Sequence, residues 1–473
     1  MRSRAPRFQR AGAAVRGGCA LGVVALLICG PMPGAQAVGP PGVDPNALVL
    51  GAPVRPPEPS QQHLVCSHPV WTGNAPVTEP PVQKALGLQQ AWQFSRGAGQ
   101  LVAVIDTGVN NHPRLSLVPG GDYVSDSDGT TDCDGHGTLV AGLIAGHPAP
   151  EDRFSGVAPD AAVLSIRQTS LAYEVKGTSS ADKQGRMSAG GYGTVTTLAF
   201  AIVHAVDMRA TVINISEVSC TSAGDNPADG ALGAALKYAY DHDVVVVAAA
   251  GNLESQGACK AQNGTAGWDT VKTIATPAWF APYVLSVGSV ELDGAPSPYT
   301  LYGPWVSVAA PGSNLMSLDS SPGGTGLVNG TPQTDGPVAP VDGTSFSSAF
   351  VAGVAALVRS RFPALTAPQV MDRIVRTAHG PGPGRDDRIG AGLIDPVAAL
   401  SAVLPAPGDV RAAGAGRAIP APLPPPRVDP WPLRIGVGGA LICLALLAVV
   451  MAVSIPFRRE HRRPLVLPGD DDL

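Results

Sequence analysis

The chain has no surplus of positive charge. Thirty-two Lys and Arg stand against 37 Asp and Glu over 473 residues, a formal net charge of −5, so no global field draws it to nucleic acid. Lysine is scarce, at six residues, and the basic set is mostly arginine; genomic composition bias explains this more simply than a binding role does. Cysteine is sparse too, at seven residues. Glycine and proline are plentiful, at 57 and 47, above average usage, and gather at the two ends and in two loops. The length allows one large domain of about 300 residues plus appendages.

The N-terminus (1–37) reads as a signal peptide: Arg2, Arg4, Arg7, Arg10 and Arg16 precede an apolar stretch, Cys19–Gly30, and a small-residue cleavage site, Ala35-Gln-Ala37. The apolar stretch is too short to span a bilayer as a retained anchor. The C-terminus differs. Ile435–Phe457 is 23 residues without a charge, long enough to cross a hydrocarbon core of roughly 30 Å. Arg458, Arg459, Arg462 and Arg463 follow directly. Positive charge stays cytoplasmic, so residues 434–457 are expected to form one transmembrane helix, 458–473 a cytoplasmic tail, and everything earlier to face outward. A Pro-rich stretch within 404–433 reads as a semi-rigid stalk.

Cys19, Cys29 and Cys443 fall in those end segments, which leaves Cys66, Cys133, Cys220 and Cys259. An even number in an exported domain suggests two disulfides with three pairings, the alternative being four buried thiols. Cys220 and Cys259 each follow a strand expected in one sheet, so they are paired here, leaving Cys66 with Cys133.

Between 83 and 403 short apolar runs alternate with helical segments. Leu101–Ile105, Ala162–Ile166, Thr211–Ile215, Val244–Ala249 and Tyr283–Val290 are near-continuous apolar runs, as expected of strands covered on both faces. His136–Ala145, Thr194–Met208, Gly230–His242 and Ser345–Arg361 are expected helices. The alternation predicts an α/β domain in three layers around a mostly parallel sheet. Gln168–Gly193 and Asn314–Val341 are polar or Gly/Pro-rich and longer than ordinary loops, so each is expected to be functional or mobile, the first exposed and easily nicked. Residues 38–82 lack periodicity and read as an extension lying across the domain.

Three segments carry chemistry: Val104-Ile-Asp-Thr-Gly-Val109, Asp134-Gly-His-Gly-Thr138 and Gly343-Thr-Ser-Phe346. They supply Asp106, His136 and Ser345, in one of the few chain orders used by Ser-His-Asp hydrolases. A serine hydroxyl attacks only when a neighbouring base takes its proton. His136 can be that base, with Asp106 holding its tautomer and stabilising the imidazolium. Ser345 opens an expected helix, whose positive end favours a developing negative charge. Ala248-Ala-Ala-Gly-Asn252 offers the Asn252 amide as an oxyanion donor beside the Ser345 N–H. Each segment alone has an ordinary reading as a turn or helix cap; it is the set, in order and on α/β alternation, that points to catalysis. No Gly-x-Ser-x-Gly elbow surrounds Ser345, and His136 precedes it, which excludes the usual esterase arrangement.

These segments resemble the subtilisin-like serine proteases, the subtilases, over about two thirds of the chain. Gly135-His-Gly-Thr-Leu-Val-Ala-Gly142 resembles the family's histidine motif, and Asp342–Phe346 through Val351-Ala-Gly353 its serine motif. Ala349 stands where most subtilases carry Pro, an absence that is expected to loosen the first helical turns. The whole plan of signal, Cys-bearing extension, protease domain, stalk and single span resembles the mycosins, membrane-anchored subtilases of mycobacterial type VII secretion systems. Cys133 and Cys220 fit that subgroup. The resemblance implies limited proteolysis of secreted polypeptides on the extracytoplasmic side of the membrane. It also implies partners among the membrane components of a secretion complex, and an extension that is not a removable inhibitory propeptide. A purely structural role in that complex, with an idle protease site, is the competing reading.

By the same resemblance Ser216, Glu217 and Val218 form one wall of the first specificity pocket, and Ala249, Ala250 and Gly251 the other. Glu217 is an unusual charge there: either it disfavours acidic substrate residues or it is a solvated rim side chain. No cofactor is required. Asp122, Asp126, Asp128, Asp132 and Asp134 make an acidic loop that could hold calcium, though its spacing lacks the full calcium-loop pattern and the final Glu. If Glu217 selects, a peptide library will show poorer cleavage with acidic than with neutral residues at that pocket; equal cleavage removes the selective role.

Overall fold

The computed structural model describes residues 38–405, apart from 74–75, 77, 178–190, 255–257, 333–335 and 383, together with residues 445–446. The signal segment, nearly all of the stalk, the apolar span 434–457 (save Ala445 and Leu446) and the tail lie outside the described residues. Among the described residues no helix is long and apolar enough to cross a membrane.

Seven strands form the central sheet: β1 (Leu101–Asp106), β2 (Leu117–Asp122), β3 (Ala162–Arg167), β4 (Val212–Ile215), β5 (Val245–Ala249), β6 (Leu285–Val290) and β7 (Val306–Pro311). Their order across the sheet is β7-β6-β5-β4-β1-β3-β2, and every neighbouring pair is parallel. Five helices matter to the packing: α1 (His136–Ala145), α2 (Val195–Asp207), α3 (Gly230–Asp241), α4 (Thr344–Arg361) and α5 (Ala367–Thr377).

The three layers follow from the two-residue period of the strands. Val102, Val104, Val212, Val245 and Val247 enter one core, with residues of α1, α4 and α5. Ala103, Ile105, Ile213, Ile215, Val246 and Ala248 enter the other, with α2 and α3. Each such Val or Ile contributes about 1.5–3 kcal/mol through burial. Because both faces are covered, the strands read as unbroken apolar runs rather than alternating ones. α2 starts at a capping box between Thr194 and Thr197, as α5 does between Thr366 and Gln369.

The sequence expectations for strands and helices hold to within one or two residues. Among the seven sheet strands and five helices named above, three were not anticipated. β2 contains Pro119-Gly120-Gly121 and β7 ends in Pro311; both are edge strands, where proline and glycine are tolerated because one side needs no partner. α5 is short and strongly two-faced, burying Val370, Met371 and Ile374. The two long loops differ in part from what their composition suggests. Gln168–Ser170 are buried, with the Gln168 amide donating to Thr194 O and Thr197 Oγ1 at 3.0 and 2.8 Å; residues 178–190 lie outside the described residues. Residues 314–341 fold as two short antiparallel pairs that send Leu315, Leu318, Val328 and Val341 into the core. Their role there is packing. Ala349 is buried within an uninterrupted α4, so the missing proline leaves the helix regular, with all its backbone donors in place.

The extension is ordered against the domain. Val38, Val43, Leu48 and Val54 pack on the α2/α3 core. Ser60–Gln62 pairs antiparallel with Tyr173–Val175. Cys66 is bonded to Cys133 and Cys220 to Cys259, as expected. Val70 N then donates to Gly330 O at 2.8 Å. The Cys66–Cys133 link closes a separation of 67 residues, which restricts the unfolded chain by about 4 kcal/mol in the chain-entropy account. Replacing both cysteines by Ser is therefore expected to lower the midpoint of thermal unfolding by several degrees and to make residues 60–72 cleavable by added protease; an unchanged midpoint in calorimetry would contradict it.

Candidate active site

Parallel strands all end on one edge, and the site residues collect there. Asp106 is the last residue of β1, and Asn252 follows β5 by three residues. α1 begins at His136, and α4 begins at Thr344 with Ser345 next. The chain moves first to one side of β1, through β2 and β3, then crosses to β4 and beyond. Loops therefore part at the end of β1, where open α/β sheets carry their sites.

Asp106 Oδ1 lies 2.7 Å from His136 Nδ1. The carboxylate is fully buried, while the ring is 25% exposed. The same oxygen accepts the Thr107 N–H at 2.8 Å. With Nδ1 held by a carboxylate, the ring carries its proton there and leaves Nε2 free to accept one. Ser345 is 8% exposed. Its neighbour Phe346 stacks on the imidazole at 5.1 Å between centroids. Ser345 Oγ makes no hydrogen bond to the ring among the described residues; such bonds are commonly long without substrate and tighten in the complex.

Asn252 Oδ1 accepts from both the backbone N–H and the hydroxyl of Thr344, each at 3.0 Å. That fixes which end of the amide is oxygen and leaves Nδ2 to donate. Asn252 Nδ2 and Ser345 Oγ both stand 3.5 Å from the point a Cβ on Gly343 would occupy. The amide donor and the hydroxyl thus face one small volume. Ser345 N–H is among the first of α4 and has no partner within the helix.

The pocket walls also meet. Ile215 pairs with Ala248, so Ser216 and Ala249 leave adjacent strands. Ser216, Ala249 and Ala250 are buried, and a Cβ at Gly251 would stand 3.6 Å from Val218 Cγ1. Glu217 is not a plain rim residue: its Oε1 is 3.9 Å from His136 Nδ1 and it is 20% exposed. Asp106, His136 and Glu217 are the one His/carboxylate group among the described residues with atoms close enough, within 4.8 Å, to hold a cation. The shortest edge of that group is the Asp106–His136 hydrogen bond. Burial alone would lower the pKa of His136; the adjacent Asp106 carboxylate, with Glu217 and Asp132 beyond it, outweighs burial and raises it above the usual value.

Three carboxylates of the acidic loop, those of Asp122, Asp132 and Asp134, are turned to protein donors. Asp122 accepts from Val124 N, Ser125 N and Ser127 Oγ at 2.6, 2.9 and 2.6 Å. Asp134 accepts from Leu171 N and Ala172 N at 2.8 and 3.1 Å. Asp132 accepts from Thr107 Oγ1, Gly135 N, Thr138 N and Thr138 Oγ1 at 2.9, 2.8, 2.9 and 2.6 Å. Burial pushes the Asp132 carboxyl up to about 6, against those bonds from Thr138. Thr107 Oγ1 also accepts from Gly137 N at 2.9 Å. Asp132 and Thr107 therefore tie the end of β1 to the first turn of α1. Sequence reading missed Thr107 and Thr344, whose only signal was their place beside Asp106 and Ser345, and took Asp132 only as a member of the acidic loop.

The description "Subtilase family" matches residues 97–392. Mycosin-1 of Mycobacterium tuberculosis is 43% identical over 457 residues, covering 93% of this chain and 97% of its own. Among solved structures, one described as a serine protease MycP1, an essential component of the type VII (ESX-1) secretion system, is 43% identical. It aligns with a TM-score of 0.72 over 77% of this chain and 100% of that one. A chain of an intact ESX-5 inner membrane complex is 41% identical, with a TM-score of 0.73 over 88% of this chain and 100% of that one.

Close approach makes one glycine of the site indispensable. A Cβ on Gly137 would stand 2.0 Å from Gly108 O and 3.2 Å from Asp106 Cβ, so the first turn of α1 could not lie against the end of β1. Gly137→Ala is expected to destabilise the domain by about 1–3 kcal/mol, and to abolish the downfield proton resonance of the Asp106–His136 hydrogen bond. A variant with wild-type melting and that resonance intact would refute this account.

Proposed function

This chain belongs to the subtilase family and, within it, to the mycosins; on that premise we propose that it is a membrane-anchored serine endopeptidase that trims exported polypeptides beside a type VII secretion complex. Its class, a serine endopeptidase of the subtilisin family, follows from the family. The residue roles are our assignment. Ser345 Oγ attacks the scissile carbonyl while His136 Nε2 takes its proton. Asp106 holds Nδ1 and stabilises the imidazolium, which then gives its proton to the departing amine. The oxyanion is met by the Ser345 N–H and the Asn252 amide, the second held in place by Thr344. Loss of one such donor costs about 3 kcal/mol in an enzyme of this kind. Ser216–Val218 and Ala249–Gly251 line the pocket for the substrate side chain. The chemistry itself asks for no cofactor. The observation that carries the reading is the 2.7 Å bond between Asp106 and His136, formed at the edge where Ser345 and Asn252 also stand.

Anchoring is inferred from the uncharged run 435–457 followed by four arginines, with the protease domain on the extracytoplasmic side. It agrees with the membrane setting of the 41% identical chain in the ESX-5 complex. That same likeness, over 88% of this chain, favours a second role as a stabilising subunit, compatible with the first. We divide the chain as signal 1–37, extension 38–82, protease 83–403, stalk 404–433, span 434–457 and tail 458–473.

Three measurements separate these roles. A serine-directed fluorophosphonate should label the wild type and not Ser345→Ala, and candidate secreted proteins should be cut by the wild type alone, read by mass spectrometry. An unlabelled wild type would remove the peptidase. Secretion that survives Ser345→Ala but not deletion of the chain would assign the main role to structure.

A further inference from the structure

Glu217 is the one charged pocket residue whose place in the mechanism above is unassigned. It follows Ser216 at the end of β4, and β4 pairs directly with β1, Ile105 opposite Ile215. Two parallel strands thus release a carboxylate each, Asp106 and Glu217, toward one imidazole. Asp106 is sealed from solvent and accepts the Nδ1–H hydrogen bond at 2.7 Å. Glu217 stands at the solvent side, 20% exposed, with Oε1 at 3.9 Å from the same nitrogen. That separation is too long for a hydrogen bond and short enough for a strong charge effect.

We propose that Glu217 is a positioning residue for His136: a second carboxylate that acts through space on the ring from the pocket wall, stabilising its charged form beyond what Asp106 alone provides. This rests on the reading of His136 as the base. Asp106 comes from β1, Glu217 from the segment after β4, and Asp132 from the loop before α1, while α4 contributes the neutral Phe346. The charged neighbours that act on the ring most strongly are all acidic, and of these only Glu217 is both near and partly open to water. Asp132 is held by Thr107, Gly135 and Thr138 and is common to the parent and the Glu217 variants, so its own titration cancels in their comparison.

The sign follows directly. Only neutral His136 can accept the Ser345 proton, so activity is low while the ring is charged and rises as pH passes its pKa. A second negative neighbour moves that acid limb upward; removing it moves the limb down. Diethyl pyrocarbonate attacks neutral imidazole, so its pH-dependent rate at His136, resolved by peptide mass spectrometry, reads the ring without needing turnover. It is to be measured on the full chain in detergent as Ser345→Ala and as Ser345→Ala with Glu217→Gln, with His242, just after α3, as internal control. We expect a midpoint above 6.5 in the parent. It should fall by at least about half a unit, a threefold change in proton affinity, with Glu217→Gln, and by less with Glu217→Asp. His242 should not move. In the active chain, the acid limb of kcat/KM should shift by the same amount. A midpoint unchanged by Glu217→Gln in a folded variant overturns the proposal, and Glu217→Asp serves the same comparison if Gln impairs folding. Total absence of peptidase activity would instead remove the peptidase reading, and the carbethoxylation result would still stand by itself.

Discussion

A carboxylate cannot be sealed inside a protein unless something answers its charge, and here the answer is an imidazole. Asp106 is wholly excluded from water, and its Oδ1 meets both His136 Nδ1 and the Thr107 N–H. An unpaired ion at that depth would carry a desolvation cost of several kcal/mol. The same pairing that makes burial tolerable also fixes the ring's tautomer and its direction. Stability and chemistry therefore draw on one interaction. The surrounding architecture serves to bring the end of β1 and the start of α1 close enough for it, which is why glycine must stand at 137, where a side chain would meet Gly108 O.

A second buried carboxylate performs the mechanical part. Asp132 gathers four donors from Thr107, Gly135 and Thr138, and Thr107 in turn accepts from Gly137. The strand end and the helix start are thus tied through side chains as well as backbone. Cys133 sits between this network and Asp134, and its disulfide to Cys66 anchors the extension within three residues of His136. The extension continues to Val70, paired with Gly330. Ordered attachment at these points suits a segment that stays with the domain: a part so joined would have to break a covalent link to depart.

How much of this was legible beforehand varies by element. Strands with both faces buried announce themselves as apolar runs, so five of the seven sheet strands and four of the five helices α1–α5 are visible in the residues alone. The edge strands are not, because Pro119, Gly120, Gly121 and Pro311 look like breaks until their neighbours are known. The stretch 314–341 reads as an open loop because its apolar residues, Leu315, Leu318, Val328 and Val341, are too widely spaced to show a period; they become core only by folding back as two short pairs. For Gln168–Ser170 polar composition suggested exposure, whereas buried polar groups are stable wherever partners are found, as Gln168 finds in Thr194 and Thr197.

Residue identity and order by themselves determined the reaction class, since Asp106, His136 and Ser345 occur in local motifs whose glycines and neighbours are as diagnostic as the side chains. They also favoured the disulfide pairing that the structure shows, among three possible pairings and an alternative of four free thiols. Only the tertiary structure decided which groups act on those three: Thr344 turning the Asn252 amide, Asp132 and Thr107 holding the turn, and Glu217 reaching to 3.9 Å from the imidazole. The reason is one of range. A motif records what is near along the chain, whereas hydrogen bonds and fields depend on distance in space, and strands that lie side by side in this sheet are separated by tens to more than a hundred residues of sequence.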